Sequence, residues 1–173
     1  MALRYVERFA TTRGKLTAYL VRKLRERGWA GDGPPPVEAL VERIAELGYV
    51  DDRAWGEAKA AAMARRGLGA RRVRQALGAA GVAGDDAEAI DPLLDAGRIE
   101  SAVAFARRRR IGPYARETAD RELIERQVGQ MVRAGHAPDL ARRIARITPD
   151  DLSQLSRSEQ VSGIDEELIR SLS

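Results

Sequence analysis

The sequence predicts an all-α protein made of three tandem three-helix repeats, which resemble helix-turn-helix units, in an elongated, curved arrangement. Of its 173 residues 44% are hydrophobic but only 5% are aromatic, so Ala, Leu, Val and Ile must fill the core. This mixture packs well between helices and lacks the aromatic residues that favour strands. The charged residues, 32% of the chain, are interleaved with apolar ones, as on the solvent faces of amphipathic helices.

A recurring helix end is the observation that predicts repeats. An apolar residue stands four positions before each of Gly28, Gly81 and Gly135, and these glycines are 53 and 54 residues apart. Glycine is common just after a helix because it adopts the left-handed backbone conformation at little cost. Self-similarity at such a period is typical of arrays in which one unit alone buries too little apolar surface.

Each repeat is predicted to contain three helices. The first helices are expected at residues 3–10, 52–66 and 100–110, followed within a few residues by Gly14, Gly67 or Gly112. The second helices end at the recurring glycines and carry apolar residues at helical spacing: Leu16, Leu20 and Leu24, then Val73 and Leu77, then Ile124, Val128 and Met131. The third helices carry shorter stripes: Val37, Leu40, Val41, Ile44 and Leu47, then Ile90, Leu93 and Leu94, then Leu140, Ile144 and Ile147.

These elements place the repeats at residues 1–50, 51–98 and 99–149. Residues 150–173 form an acidic, Ser-rich tail, which the sequence allows to be either short helices or disordered. The segment from Thr148 to Asp151 resembles a capping box that opens a further helix, and residues 162–165 could open another.

The residues that follow the recurring glycines are predicted to pack against the preceding helix. Trp29, Val82 and His136 take the place where a Schellman motif usually makes an apolar contact. A packing role is therefore the better interpretation of His136 than a catalytic one.

The composition leaves little material for catalysis or metal binding. The chain has no Cys and a single His, which excludes disulfide scaffolds, thiolate zinc sites and thiol nucleophiles. We therefore expect no enzyme activity, no catalytic or metal-binding residues and no cofactor. Because no apolar run approaches the roughly 20 residues needed to span a bilayer, a soluble cytoplasmic protein is expected.

Arginine dominates the basic residues. Only three of the 30 basic residues are Lys, and residues 1–149 contain 28 basic and 20 acidic residues, a formal charge of +8. The planar guanidinium binds phosphates and carboxylates with two parallel hydrogen bonds, which suits nucleic acid or an acidic protein surface. A GC-rich genome is the alternative explanation for the excess of Arg over Lys.

The second repeat contains the clearest basic helix face. Arg71, Arg72, Arg74 and Gln75 lie beside inward-facing apolar residues, and Arg65 and Arg66 stand at the end of the preceding helix. We interpret these six residues as contacts to a partner or to phosphates, which would give salt-dependent binding without sequence reading. The alternative is a solvated face that only keeps the protein soluble.

Two further basic segments follow in the third repeat. The run from Arg107 through Arg108 and Arg109 to Arg110 ends a predicted helix, where cations oppose the negative end of the helix dipole. Arg107, Arg108 and Arg109 are added to the candidate binding residues. A weaker basic face is formed by Arg142, Arg143 and Arg146.

Asp51 and Asp52 precede a predicted helix. Carboxylates at that place cap free N–H groups and favour the positive end of the helix dipole. Adjacent Asp side chains point apart and no second acidic cluster supplies partners, so capping is the better interpretation than metal or acid–base chemistry.

The segment from Leu47 to Val82 resembles the central signature of the RecX family. It reads Leu-Gly-Tyr-Val-Asp-Asp, then Trp55, Arg-Arg-Gly at 65–67, Arg-Arg-Val-Arg-Gln-Ala-Leu at 71–77 and Gly81-Val82. The opening at residues 2–6 and the helix end at residues 24–28 also resemble the family. In the third repeat the family's "ARRGF" becomes Arg-Ala-Gly-His at 133–136, with His136 in place of Phe.

The resemblance implies a regulator without chemistry of its own. RecX proteins bind RecA filaments in their helical groove and inhibit ATP hydrolysis, strand exchange and the co-protease activity behind the DNA-damage (SOS) response. It implies RecA as the partner, weak and non-specific binding of single- and double-stranded DNA, no membrane and a monomer. The structural signature would be Gly48, Tyr49, Asp51, Asp52, Trp55, Leu77 and Gly81, which fix the junction between repeats.

Two other functions remain open from the sequence. A sequence-specific DNA-binding protein would use base-edge donors such as Asn or Gln, but the chain has no Asn and its Gln residues are scattered. A helical-repeat adaptor for another partner would share the same fold.

Overall fold

A computed structural model describes residues 1–151 and confirms the all-α class. Every regular element in that range is helical, and no helix there is long and apolar enough to cross a membrane. The α-helices are α1 Ala2–Val6, α2 Arg13–Arg27, α3 Val37–Glu46, α4 Asp52–Arg65, α5 Ala70–Ala79, α6 Asp85–Ala96, α7 Arg98–Arg109, α8 Arg121–Arg133 and α9 Pro138–Arg146. A 3₁₀ turn, Gly112–Tyr114, lies between α7 and α8.

The helices occupy the predicted places, with one clear shortening. Helix α1 ends at Val6 and not near residue 10, and Phe9, beyond its end, is 51% exposed. Thr12 accepts a hydrogen bond from the Lys15 backbone N–H and so begins α2 early. Gly14, expected in a link, therefore lies inside α2.

The chain divides into two compact units. Unit 1 contains residues 1–59 and 75–91, and unit 2 contains residues 60–74 and, within the described part of the chain, residues 92–151. Helices α4, α5 and α6 contribute residues to both units. The division into repeats at residues 1–50, 51–98 and 99–149 stays a prediction.

The core of unit 1 forms around the apolar stripe of α2. Leu16 and Leu20 pack with Val41 and Ile44 of α3 and with Val50, all at most 6% exposed. Most stripe positions that the sequence assigns to the second and third helices are buried. Leu24, Val37 and Ile124 are only partly buried, and Leu40, Leu47 and Leu93 are exposed.

Thr12 joins two parts of unit 1. Its hydroxyl caps α2 by accepting from the Lys15 N–H and donates a short hydrogen bond to the carbonyl of Ala80. The Thr12 side chain is fully buried, so no water is available there to replace its hydroxyl as the partner of the Lys15 N–H and the Ala80 carbonyl.

We expect Thr12→Val to lower the free energy of unfolding by about 2–3 kcal/mol, because the cap is lost and a buried carbonyl loses its donor. Thr12→Ser keeps the hydroxyl and is the matched control. Urea unfolding followed by circular dichroism measures both variants. A valine variant as stable as the serine variant would contradict the assigned role.

The core of unit 2 is formed by α7, α8, α9 and the 3₁₀ turn. It contains small and aliphatic residues that are less than a tenth exposed: Ile99, Ala102, Val103, Ala106, Ile111, Val128, Met131, Leu140, Ala141, Ile144, Ala145 and Ile147. This core holds the ends of α7 and α9 in fixed positions, where the candidate binding residues lie.

Two of the three recurring helix ends form the predicted Schellman motif. The N–H groups of Gly81 and Val82 donate to Gly78 and Leu77, and those of Gly135 and His136 donate to Val132 and Met131. Val82 and His136 are buried accordingly.

The first helix end differs from this prediction. Gly28 makes a single bond to Leu24, and the Trp29 ring stays 51% exposed, with its Nε1 donating to the carbonyl of Gly33. The Schellman motif predicted at this first helix end is therefore wrong, and the indole is bonded to the segment that follows it, at residues 30–36.

The capping box predicted near the end of the third repeat is present. The Thr148 N–H donates to the Asp151 carboxylate over 2.8 Å, and the Asp151 N–H donates to the Thr148 hydroxyl over 3.1 Å. The rest of the tail prediction, including the helix start at residues 162–165, lies outside the described residues.

Candidate partner-binding surface

The predicted binding residues of unit 2 fall into two clusters. The first, here the helix-end cluster, lies where α4 and α7 end and contains Arg65, Arg66, Arg107, Arg108 and Arg109. All five side chains are exposed. The sequence places them in two groups that are far apart along the chain, and the fold brings the groups together.

A direct contact joins the two helix ends. Arg108 Nη1 donates to the carbonyl of Arg66 over 3.1 Å. Gly67, with φ of +75°, packs its backbone against Phe105, since a Cβ at Gly67 would lie 2.7 Å from the Phe105 nitrogen. The cluster therefore rests on backbone packing and not on flexible side chains alone.

The helix-end cluster is strongly electropositive. A shallow depression there is lined by Arg65, Arg107 and Arg108, with Glu100 as the one acid among its lining residues. Arg107 Nε donates to the Tyr114 hydroxyl over 3.1 Å, which orients this guanidinium. Cations at helix ends are favoured by the dipole, so the fold tolerates a like-charge cluster there.

The second group, here the cleft cluster, lines a cleft of about 440 Å³. It contains the predicted residues Arg71 and Arg74 together with Arg98 and Arg143. Arg71 Nη2 donates to the carbonyl of Val132 over 2.6 Å, and Arg74 Nη2 lies 3.4 Å from Asp95 Oδ1.

Glycine permits the close approach that forms this cleft. The Gly69 N–H donates to the Ala134 carbonyl over 2.9 Å, and the Arg71 N–H donates to the Gly135 carbonyl over 3.3 Å. A Cβ on Gly69 would lie 2.3 Å from the Gly135 carbonyl carbon. The start of α5 and the end of α8 therefore meet backbone to backbone.

Arg72 and Gln75, the other predicted contacts, are exposed on α5 but do not line the cleft. Gln75 belongs to unit 1. The binding roles of all nine predicted residues stay a prediction.

The sequence analysis did not identify Arg98 as a binding residue, and it placed Arg143 only on a weaker basic face. Arg98 is an isolated arginine just after Gly97 at the start of α7, and Arg143 is one of three similar arginines on or next to one helix turn of α9. Arg98 and Arg143 are distinguished from other arginines only because the packing of α5, α7 and α9 places them in the cleft. No local sequence signal identifies them.

His136 lies buried beside the cleft. Its Nε2 donates to the carbonyl of Gly67 over 3.0 Å, and its ring centroid lies 5.6 Å from that of Phe105. Burial lowers the pKa of His136 from its ordinary value, although the hydrogen bond to Gly67 acts in the opposite direction. This environment agrees with the packing role predicted from the sequence.

We expect the stability to fall as the pH drops from about 7.5 to about 5.5, through the range where histidine ordinarily titrates. Because the pKa of His136 is lowered in the folded state, the unfolded chain binds the proton at a higher pH than the folded chain does. Acid therefore favours unfolding. The contribution of neutral His136 to stability is fully present above the pKa of the unfolded state and is lost as the pH falls through the folded-state pKa.

His136→Phe keeps an aromatic ring against Phe105 and removes the only histidine of the chain. Thermal melts across this pH range should show a pH-dependent midpoint for the wild type and a much flatter one for the variant. An identical pH dependence in both proteins would contradict the assignment.

All seven signature residues lie in unit 1. Gly48 has φ of +78°, and Tyr49 is 50% exposed. Asp51 caps α4 by accepting from the Ala54 N–H over 2.8 Å, as the sequence predicts. Leu77 is 2% exposed, and Gly81 packs against Gly14, where a Cβ on Gly81 would lie 2.7 Å from the Gly14 Cα.

Asp52 lies in the first turn of α4 and its carboxylate binds the start of α2. It is 5% exposed, accepts from the Arg13 backbone N–H over 2.8 Å and lies 3.7 Å from the Arg13 guanidinium. Trp55 stacks under Lys15, whose Nζ lies 3.9 Å from the ring centroid. These contacts join α2 to α4 inside unit 1.

Unit 1 also has an exposed apolar groove. It has a volume of about 500 Å³ and is lined by residues from the N-terminus, α2 and α3. Leu3, Leu40 and Leu47 line it and remain 44–54% exposed. A contiguous apolar surface of this kind is typical of protein–protein contacts.

Comparison with known proteins gives a consistent family. No protein-family model matches the chain. Three similar proteins, each named regulatory protein RecX, come from Myxococcus xanthus (27% identity, 86% of this chain and 83% of the relative), Thermus thermophilus (37%, 63% and 71%) and Stenotrophomonas maltophilia (32%, 76% and 77%). These relatives differ in sequence and source but share the name and most of their length with this chain. The resemblance seen in the central signature is thereby confirmed, and the chain belongs to the family of the regulatory protein RecX.

Proposed function

We propose that this protein is a negative regulator of the RecA recombinase. It binds RecA filaments on DNA and inhibits their ATP hydrolysis, strand exchange and co-protease activity, as a cytoplasmic monomer with weak, non-specific affinity for single- and double-stranded DNA. Membership of the RecX family is the observation that carries this proposal.

The helix-end cluster supplies the main electrostatic contact. Its five arginines are exposed, and three of them line a depression with a single acidic residue. They attract phosphates and carboxylates, both of which a nucleoprotein filament presents. Such contacts recognise charge and not base sequence, which suits a filament that forms on any DNA.

The apolar groove of unit 1 supports a protein partner in addition to DNA. A phosphate backbone offers nothing to an apolar surface lined by Leu3, Leu40 and Leu47, whereas a protein does. Several modest contacts spread over neighbouring protomers would together give a tight complex.

The proposal is tested by RecA ATPase and strand-exchange assays on single-stranded DNA over a salt series. We expect inhibition at protein concentrations well below that of RecA, weakening as the salt concentration rises. Inhibition that appears only when the protein coats the DNA would indicate a DNA-binding protein that competes for the strand. RecA activity unaffected at any ratio would contradict the proposal.

A further inference from the structure

The cleft cluster has the size and lining of a small-ligand site. Its volume of about 440 Å³ lies within the range of roughly 300–1,000 Å³ in which proteins bind small molecules. Its four arginines come from three helices: Arg71 and Arg74 from α5, Arg98 from α7 and Arg143 from α9.

The charge of the cleft favours an anion. Two carboxylates, Asp95 and Asp139, stand against the four guanidinium groups, and Asp95 is paired with Arg74 over 3.4 Å. Arg71 uses Nη2 on the Val132 carbonyl, but a guanidinium has five N–H donors. The lining carries four arginines against these two carboxylates, and its net positive charge and forked donors match a phosphate group.

The backbone adds to the same preference. Helix α9 begins at the cleft with Ala137 as its N-cap, and no side chain caps its first turn. The first N–H groups of a helix and its dipole favour an anion at that end. The N–H groups and the dipole of α9 thus add to the attraction that the arginines exert on an anion.

One part of the lining is apolar. Ile99, Val132, Pro138 and Leu140 lie in the same cleft as the arginines. Ile99 and Leu140 are buried at its base, so Val132 and Pro138 provide most of the accessible apolar surface. A bare phosphate would leave that surface unused, whereas the sugar and base of a nucleotide would cover it.

We propose that this cleft binds a phosphate-bearing ligand of nucleotide size, with the phosphate among Arg71, Arg98 and Arg143 and the base against the apolar lining. The phosphate comes from a free nucleotide or from the end of a DNA strand. This site goes beyond the proposed regulation of RecA, because binding would be observed without any RecA present.

Calorimetric titration of the full chain tests the site with four probes: dAMP, deoxyadenosine, and one short oligonucleotide with and without a 5′-phosphate. We expect dAMP to bind and deoxyadenosine not to bind. A tighter complex with the 5′-phosphorylated oligonucleotide identifies strand ends as the source, and equal affinity for the two oligonucleotides identifies the free nucleotide.

Variants separate this cleft from general positive charge. The double variant Arg98→Gln and Arg143→Gln should weaken dAMP binding by about 100-fold, since each of the two charge-assisted contacts accounts for roughly a factor of ten or more. Arg142→Gln removes an exposed neighbour on the same helix that does not line the cleft, and should leave the affinity unchanged. Thermal melts verify that each variant folds.

Amide NMR of the wild-type protein gives a readout that needs no variant. Addition of dAMP should shift the signals of Ile99, Asp139 and Leu140 first. Shifts confined to other regions, equal binding of deoxyadenosine, equal weakening by Arg142→Gln, or binding of a Glu-rich peptide without binding of dAMP would each overturn the proposal.

Discussion

Replacing Gly69 by alanine is expected to lower the free energy of unfolding by about 3 kcal/mol or more. The new Cβ would lie 2.3 Å from the carbonyl carbon of Gly135 and 2.5 Å from the nitrogen of His136. These are backbone atoms, so no side-chain rotation relieves the clash and α5 must move away from the end of α8. The hydrogen bond from the Gly69 N–H to the Ala134 carbonyl would be lost with it.

Gly78→Ala is the matched control for this prediction. Gly78 lies inside α5, and a Cβ there would meet no atom within 4 Å. Alanine is the better helix former by about 1 kcal/mol, so this variant should be more stable than the wild type. Urea unfolding of the two variants should shift in opposite directions. A Gly69→Ala protein as stable as the wild type would show that α5 and α8 do not pack this closely.

Charge reversal at the helix-end cluster is expected to abolish most of the inhibition of RecA. The variant Arg65→Glu with Arg66→Glu leaves the Arg66 carbonyl, and hence its bond from Arg108, in place. Loss of two charge-assisted contacts at about 1.5–3 kcal/mol each raises the concentration needed for half-inhibition by at least about 100-fold. The salt dependence should become shallower as well, because fewer counterions are released.

A second double variant makes the same change in net charge elsewhere in unit 2. Arg121→Glu with Arg126→Glu alters two exposed arginines on α8 that belong to neither cluster. This protein should inhibit RecA nearly as well as the wild type. Equal loss in both variants would mean that the overall charge, and not the helix-end cluster, controls binding.

The helices could be predicted from the sequence because their signals are local. The stripe of Leu16 and Leu20, the cap at Asp51 and the glycine after α8 each report on the backbone within one or two helix turns. Two of the errors also have local causes. Thr12 starts α2 sooner than expected, and Gly33 offers the Trp29 ring a partner that the apolar pattern does not reveal.

The candidate surface was only partly accessible to such reasoning. The periodicity predicts that Arg65 and Arg107 are exposed at helix ends, but their neighbourhood depends on the packing of Gly67 against Phe105, which lies far away along the chain. Arg98 joins Arg71 in one cleft for the same reason. Contacts between helices determine which exposed charges lie on the same surface. These contacts produce no periodic pattern in the sequence, so the sequence does not predict them.

The binding of the labelled protein to RecA filaments, compared with its binding to bare DNA of the same sequence, tests the central claim most directly. Fluorescence anisotropy at about 0.15 M salt, where non-specific attraction to DNA is largely screened, separates the two. We expect the filament to bind at least about tenfold more tightly than the DNA, since the protein component adds contacts that a phosphate backbone cannot provide. Equal affinity for both, or no affinity for the filament, would contradict the assignment of RecA as the partner.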